Sequence, residues 1–504
     1  MSGAPALPEV LRGSVDIARP AADVFAFVSD LTNYARWFPG IAYMRPADGA
    51  PIGVGKRYDE VALVPPGDKQ ERIQVEIVAF DPGRHFAIHA SLAPPLPRFD
   101  YWFSALPDGG TRFEWLCRTR GRGPHMPIVR MIMRRVLRPR LDGALANLKR
   151  ILEAQPGSQT TAAVIRHFGE ARDTFDVTDT APRPTPGKGQ VLVRQIATSI
   201  NPISVQRRKG YGRNVFKLRG GHGWPLILGE DVCGRVEAVG PGVRRLAPGD
   251  LVFGVKPPSR DGAYAEHVAV DAGNLRVLSS PAAPHEAAAI PYAFLTAWQA
   301  LSACGLKPGH AKGKTVFVQG GAGGVGAMAI QIARDWGALV AASGRTRQMD
   351  IIRSLGATDV FDRAEGGYDR LRDFDAAICT AAVSEQAAML SILKRDGRAT
   401  MATVIHPTLS LTDEFGVIRG FMKARSARRK AQEFAKRQGR RIAWVLFKAD
   451  AQALDAMARM APAGQLRPVL GRTFTLADIA AAHETYEGGQ SGGKIVVTFG
   501  GEAP

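Results

Sequence analysis

Residues 316–338 read "VFVQGGAGGVGAMAIQIARDWGA": an apolar run, a cluster of glycines, then an apolar segment of helical period. The opening fits a buried strand and the close fits a helix with one apolar face. The glycines must therefore turn the chain sharply between the two. Gly321, Gly323 and Gly326 stand at the spacing GxGxxG. In that spacing one glycine makes the turn, one lets a pyrophosphate approach the backbone, and one lets helix and strand pack closely. The unpaired N–H groups of the helix start then face an anion. Further short apolar runs follow, "ALVAAS", "ATDVFD", "DAAICT" and "GRATMATV". Strands alternating with helices predict a parallel sheet, and Gly321, Ala322, Gly323, Gly324, Val325 and Gly326 are the expected dinucleotide-binding loop.

The second strand of such a unit selects the cofactor. An acidic side chain at its end would hydrogen-bond the ribose 2′-hydroxyl of NAD. Here the strand ends "AASGRTR" without one. Ser343, Arg345 and Arg347, with Arg363 after the third strand, suit a 2′-phosphate instead, because the guanidinium fork matches phosphate geometry. The expected cofactor is NADPH rather than NADH. The alternative is that these arginines are solvated loop residues.

At 504 residues the chain has room for about three domains. No apolar run reaches the roughly 18 residues of a membrane span, and the N-terminus lacks the charged start and apolar block of a secretory signal. Cys117, Cys233, Cys304 and Cys379 form no CxxC pair, which argues against a zinc knuckle or a disulfide framework and fits a reducing, cytoplasmic setting. The net charge of +19 is concentrated. Residues 419–448 hold eleven Lys or Arg against one acid, Glu433, and residues 130–150 hold seven against Asp142. Such segments serve as solvated helix faces or as peripheral contacts with anionic membrane. With no nucleic-acid-binding signature present, nucleic acid is not an expected partner.

A joint lies at "EAQPGSQTT", residues 153–161. Before it come a strand ("GSVDIARP"), a helical stretch after Pro20, several alternating segments ("RIQVEIVAF", "HFAIHASL", "FDYWFSAL", "TRFEWLCRTR") and a long amphipathic helix near 125–153. This order predicts an α+β unit whose curved sheet wraps one long helix around an apolar cavity. With the run "PAADVFAFVSDLTNYARWFPGI" it resembles the START-like (SRPBCC) superfamily of polyketide cyclases and coenzyme Q-binding proteins. The resemblance implies a helix-grip domain for hydrophobic ligands over residues 1–155. Trp37, Phe38, Tyr101, Trp102 and Trp115 are candidates to line its cavity, or else plain core. His85 and His89 share a strand face and serve either packing or the pocket.

After the joint, "INPISVQRRKGYG", "PLILGEDVCGRVEAVGPGVRRLAPGDLVFG", "GAYAEHVAV", "AAAIPYAFLTAWQAL", the glycine loop and "GQLRPVLGRTFTLADIAAAHETYEGGQSGGKIVV" occur in order. They are similar to the medium-chain dehydrogenase/reductase superfamily, quinone oxidoreductase branch, and within it to the reticulon-interacting oxidoreductases. That resemblance implies a GroES-like catalytic domain over 160–290, a Rossmann domain over 291–462 and a C-terminal return to the catalytic domain over 463–504. Zinc members carry a "GHE" motif and a cysteine lobe. Here the motif reads Gly229-Glu230-Asp231 and residues 254–275 hold no cysteine, so no metal is expected.

The resemblance further implies Asn201 and Tyr211 as catalytic candidates, with Arg208 near the entrance, and Thr296, Thr380 and Lys494 at the cofactor. Thr296 has the alternative of bonding its own helix, Tyr211 that of a loop aromatic, and Lys494 that of a surface lysine. Two departures stand out: Ser204 replaces the Asp of an "NPxD" pattern, and Thr380-Ala381-Ala382 replaces a common Asn- or Gly-containing turn. The expected function is an NADPH-dependent reductase of quinones or conjugated enones, with a small hydrophobic substrate and room for a homodimer. The alternatives are an NADPH-binding quinone- or lipid-transfer protein with little turnover, and an enoyl-thioester reductase.

Overall fold

The computed structural model describes residues 7–64, 69–218, 224–259, 261–279, 283–365, 368–380, 383–461 and 463–500. The chain divides into a first unit, Met1–Gln159, and a second, Thr160–Pro504.

The first unit is one antiparallel sheet and one long helix. Its strands are β1 (Glu9–Ile17), β2 (Ile41–Pro46), β3 (Arg57–Val64), β4 (Lys69–Asp81), β5 (His85–Ala90), β6 (Pro97–Ala105) and β7 (Thr111–Thr119), in the order β1-β7-β6-β5-β4-β3-β2. The helix Met126–Leu152 buries Leu141, Ala144, Leu145, Leu148 and Ile151, the stripe that helical period requires. A Cβ on Gly13 of β1 would stand 2.8 Å from the Leu141 side chain, so a glycine there lets the helix approach the sheet. Ahead of Pro139 the same helix exposes Ile128, Met131 and Ile132. This is the expected α+β helix-grip arrangement.

Trp37, Phe38, Tyr101 and Trp115 all lie inside the first unit, packed on one another and on Tyr34. The Tyr101 hydroxyl donates to that of Tyr34 at 3.1 Å. Trp102 is a correction. It is 44% exposed and stacks on His85 on the outer face, because successive strand residues point to opposite sides and Tyr101 already points in. His85 faces Asp100 at 3.2 Å, and Arg98 and Arg118 pair with the same carboxylate. The histidines thus belong to the outer face, and burial lowers the His89 pKa.

The strands of the second unit are β8 (Gln159–Ile165), β9 (Phe175–Pro182), β10 (Gln190–Ser199), β11 (Leu226–Ile227), β12 (Asp231–Val239), β13 (Leu251–Val255), β14 (His267–Asp271), β15 (Leu275–Val277), β16 (Thr315–Val318), β17 (Leu339–Gly344), β18 (Asp359–Asp362), β19 (Ala376–Cys379), β20 (Thr400–Thr403), β21 (Arg441–Trp444), β22 (Leu470–Thr475) and β23 (Lys494–Thr498). Strands β16 to β21 form a parallel sheet in the order β18-β17-β16-β19-β20-β21. The order reverses between β16 and β19, and an open α/β sheet binds its ligand at the carboxyl ends of the strands beside that reversal. Strands β10, β12, β13, β14, β15, β22 and β23 form the second sheet. Its closing strand returns from the far end of the chain, with Ser199 of β10 opposite Val496 of β23. Lys494 therefore arrives beside Ile200 and Asn201, which no local pattern announces.

Candidate active site

The glycine loop is built as its spacing requires. The helix Gly324–Asp335 starts directly after Gly323, and Ala327 N–H, bonded to Gly323 O at 2.8 Å, closes its first turn. The N–H groups ahead of it point out of the helix start, where an anion is favoured. Gly320 takes φ +66, and a Cβ on Gly326 would stand 2.1 Å from Gly320 O. Only glycine fits there. Gly321 N–H donates to Ser343 O at 2.7 Å, which ties the loop to the end of β17.

Beyond that end, Arg345 and Arg347 are exposed. Arg345 donates to Gly489 O at 3.3 Å. The nearby acid Asp362 is already engaged, accepting from Ala364 N–H at 2.8 Å, and a hydrogen bond from Thr346 holds its carboxyl below the usual range. Arg363 reaches the same edge through its backbone, bonded to Gly344 O at 2.9 Å, but its guanidinium pairs with Glu385 at 2.5 Å. The Thr380 hydroxyl donates to Gln319 O at 2.8 Å, at the mouth of the loop. Ala381 and Ala382 lie outside the described residues.

A buried polar nest stands on the other side of the loop. Gly229, at φ +96 and with no room for a Cβ against Tyr264, turns Glu230 and Asp231 inward, and both are fully buried. Asn201 caps the helix Pro202–Arg208, yet its side chain makes no cap bond. It donates instead to Asp231 at 2.8 Å and Glu230 at 3.3 Å. Ser199 also donates to Asp231, and Tyr292 N–H reaches the other oxygen of that carboxylate at 2.7 Å. Lys494 Nζ donates to Asn201 Oδ1, to Ile200 O at 3.1 Å and to Asp231 at 3.5 Å. Burial lowers the lysine's pKa, and Asp231 and Glu230 oppose that shift. A Cβ on Gly324 would lie 3.5 Å from Lys494 Cδ. The lysine thus joins the nest to the nucleotide loop.

Ser204, in the place of the missing Asp, donates to Glu230 Oε2 at 2.6 Å and accepts from Gly229 N–H at 3.2 Å. The Ser204 hydroxyl thus links the helix Pro202–Arg208 to the Gly229–Glu230 turn ahead of β12. Burial raises the Glu230 pKa to about 7, with hydrogen bonds from Ser204 and Asn201 and the charge of Arg207 holding it down. Among the described residues, two buried atoms of this region, Glu230 Oε1 and Arg207 Nη1, have no hydrogen-bond partner. Such orphans in a native interior call for an explanation.

The remaining candidates fall apart from the nest. Arg208 is not at an entrance: it is fully buried, paired with Glu487 at 2.5 Å and bonded to Gly169 O. The Thr296 hydroxyl donates to Tyr292 O at 2.7 Å, within its own helix. Tyr211 is half-buried after the helix Pro202–Arg208, its pKa raised by burial and by Asp413. Glu230, Asp231, Ser199, Arg207 and Tyr292 join the site without a local motif that marks them. The one available signal was the acidic pair at the "GHE" position.

Three family descriptions match the chain: "Polyketide cyclase / dehydrase and lipid transport" over residues 9–153, "Alcohol dehydrogenase GroES-like domain" over 187–280, and "Zinc-binding dehydrogenase" over 355–497. The mouse (Mus musculus) "NAD(P)H oxidoreductase RTN4IP1, mitochondrial" is 33% identical over 322 residues, 61% of this chain and 81% of its own length. The human (Homo sapiens) counterpart is 32% identical over 323 residues, with the same coverage. Among solved structures, the quinone oxidoreductase from Coxiella burnetii matches at 27% identity and a TM-score of 0.57, covering 68% of this chain and 99% of that one.

One of these descriptions names zinc, and the donor set does not fit it. No group of three or more His, Cys, Asp or Glu among the described residues could hold a metal ion. In the nest an ammonium already faces Asp231, where a zinc ion would need several converging N, S or O donors in place of a cation. A nicotinamide dinucleotide does fit: a Cβ at Gly326 would stand 2.1 Å from Gly320 O, so glycine there lets the loop turn tightly onto the start of the helix Gly324–Asp335, the geometry that seats a pyrophosphate.

Proposed function

This chain belongs to the NAD(P)H oxidoreductase family of medium-chain dehydrogenase/reductases, and on that premise we propose that it is an NADPH-dependent reductase passing a hydride to a quinone or conjugated enone. The supporting observation is Lys494, which joins the glycine loop to the Asn201–Asp231–Glu230 nest. When bound, the reduced nicotinamide supplies the hydride. The chain supplies the rest. Lys494 turns its longest bond, the 3.5 Å one to Asp231, toward the acceptor oxygen as charge develops on it, while Asn201 holds the ammonium in place, the role of a preorganised oxyanion site. Glu230, whose pKa burial raises to about 7, holds a proton at Oε1, the oxygen that Ser204 and Asn201 leave without a bond. Tyr211, outside the nest on the turn after the helix that carries Asn201 and Ser204, would bound the acceptor's entry rather than touch the reacting atoms. Arg208 fixes the helix that carries Asn201 and Ser204.

The exposed guanidinium of Arg345, beyond the end of β17, favours NADPH over NADH, with Ser343 and Arg347 beside it. Arg345→Ala should raise the KM for NADPH about tenfold, the value of a charge-assisted hydrogen bond, and leave that for NADH nearly unchanged. Equal changes for both cofactors would remove the 2′-phosphate assignment. The first unit is proposed to bind the hydrophobic ligand. Its match to a lipid-transport family and its sheet-and-helix architecture support this.

A further inference from the structure

The helix Val417–Arg437 buries only a narrow stripe of small residues, Gly420, Ala424 and Ala435. A Cβ on Gly420 would stand 2.3 Å from the Cα of Thr412, so this helix lies tightly on the helix Thr408–Phe415. Its opposite face is uncovered. In its first turns that face carries Ile418, Phe421 and Met422, exposed by 78%, 44% and 60%, with Phe415 next to them at 36%. Arg425 and Arg429 continue the same face one and two turns on. Lys423 lies over the Phe415 ring at 4.1 Å. Single exposed apolar side chains are ordinary, but an apolar cluster rimmed by one sign of charge marks an interaction surface.

We propose that this face rests on an anionic lipid surface, with Ile418, Phe421 and Met422 at the acyl boundary and the arginines at the headgroups. A helix with a strongly basic polar side and large apolar residues at the other end of its exposed face suits that position. Charge decides among the occupants. A two-fold pairing of this face with itself would set one basic field against another. A nucleic acid backbone would satisfy the arginines and leave the apolar cluster in water.

The surface is also fastened to the site. Asp413, in the helix Thr408–Phe415, accepts from Gly212 N–H at 2.5 Å and Asn214 N–H at 3.1 Å. The lipid-facing helices thereby hold the turn that carries Tyr211. The inference goes beyond the proposed reaction and stands without it, because lipid contact does not depend on turnover.

The test places a polarity-sensitive thiol dye on Met422→Cys in the full chain. Cys117, Cys233 and Cys379 are buried and Cys304 half-buried, so the new thiol is the most accessible. Dye emission should shift to the blue with vesicles of equimolar phosphatidylcholine and phosphatidylserine, stay unchanged with phosphatidylcholine alone, and lose the shift at high salt. In sedimentation with the same vesicles, the double substitution Ile418→Ser with Phe421→Ser should lower partitioning at least about tenfold. Its NADPH affinity should remain that of the unsubstituted chain, which shows the fold intact. The proposal is overturned if the chain sediments with neither vesicle or equally with both. It is overturned in favour of another surface if the chain binds while the dye is silent. A blue shift that grows with protein concentration in the absence of lipid would assign the face to a second copy instead.

Discussion

Gly326→Val should weaken NADPH binding at least about a hundredfold, close to 3 kcal/mol. The first atom added to Gly326 meets Gly320 O at 2.1 Å, and the next backbone atom at 2.8 Å. Both are backbone atoms of the turn proposed to seat the phosphates, so no side-chain rotation relieves the clash. The loop must open, and overpacking of this kind alone costs about 1–3 kcal/mol. The helix start then moves away from the pyrophosphate, and the gain from its N–H groups and dipole goes with it. Titration by NADPH fluorescence measures the effect. Gly273→Ala is the control, since nothing lies within 4 Å of its added Cβ, and its affinity should not change. A Gly326→Val chain that binds as tightly as the control would remove the loop as the phosphate seat.

The second large effect has opposite signs in stability and activity. Burial raises the Glu230 carboxyl from the ordinary 4.5 to about 7, so the folded chain prefers it protonated. Its contribution to stability is fully present below about pH 4.5, declines as pH rises toward about 7, and stays low above that. A shift of this size corresponds to roughly 3 kcal/mol. Glu230→Gln keeps the shape and the Ser204 bond and cannot ionise. Above pH 7 the substituted chain should melt several degrees higher than the unsubstituted one, and the difference should vanish toward pH 4.5. Turnover should fall by about one to two orders of magnitude, because the proton held at Glu230 is gone. The decline of kcat above neutral pH should flatten as well. Equal activity with an unchanged pH profile would reduce Glu230 to a packing residue.

The parts of the molecule legible in the sequence are those governed by local sterics. GxGxxG between an apolar run and a helix leaves little choice of structure, and the parallel sheet follows from the alternation around it. The alternating strands and the apolar stripe at Leu141, Leu145 and Leu148 likewise announce the helix-grip unit. The nest was not legible, because it is assembled across the chain. Lys494 lies 263 positions from Asp231, and only the pairing of β23 with β10 brings it there. Nor does a single residue type reveal that Ser204, where an Asp is common, bonds the buried Glu230. The burial of Arg208 is hidden for a related reason: its partner Glu487 comes from the far C-terminal segment. Trp102 could have been placed by strand period alone.

The measurement that bears most directly on the account is NADPH oxidation by the full chain with short-chain quinones and enones, in the presence of a strong metal chelator. Turnover should need the acceptor and be unaffected by the chelator, and Lys494→Met should be nearly inactive while still binding NADPH. NADPH bound tightly but not oxidised across the whole acceptor panel, or activity lost to the chelator, would contradict it.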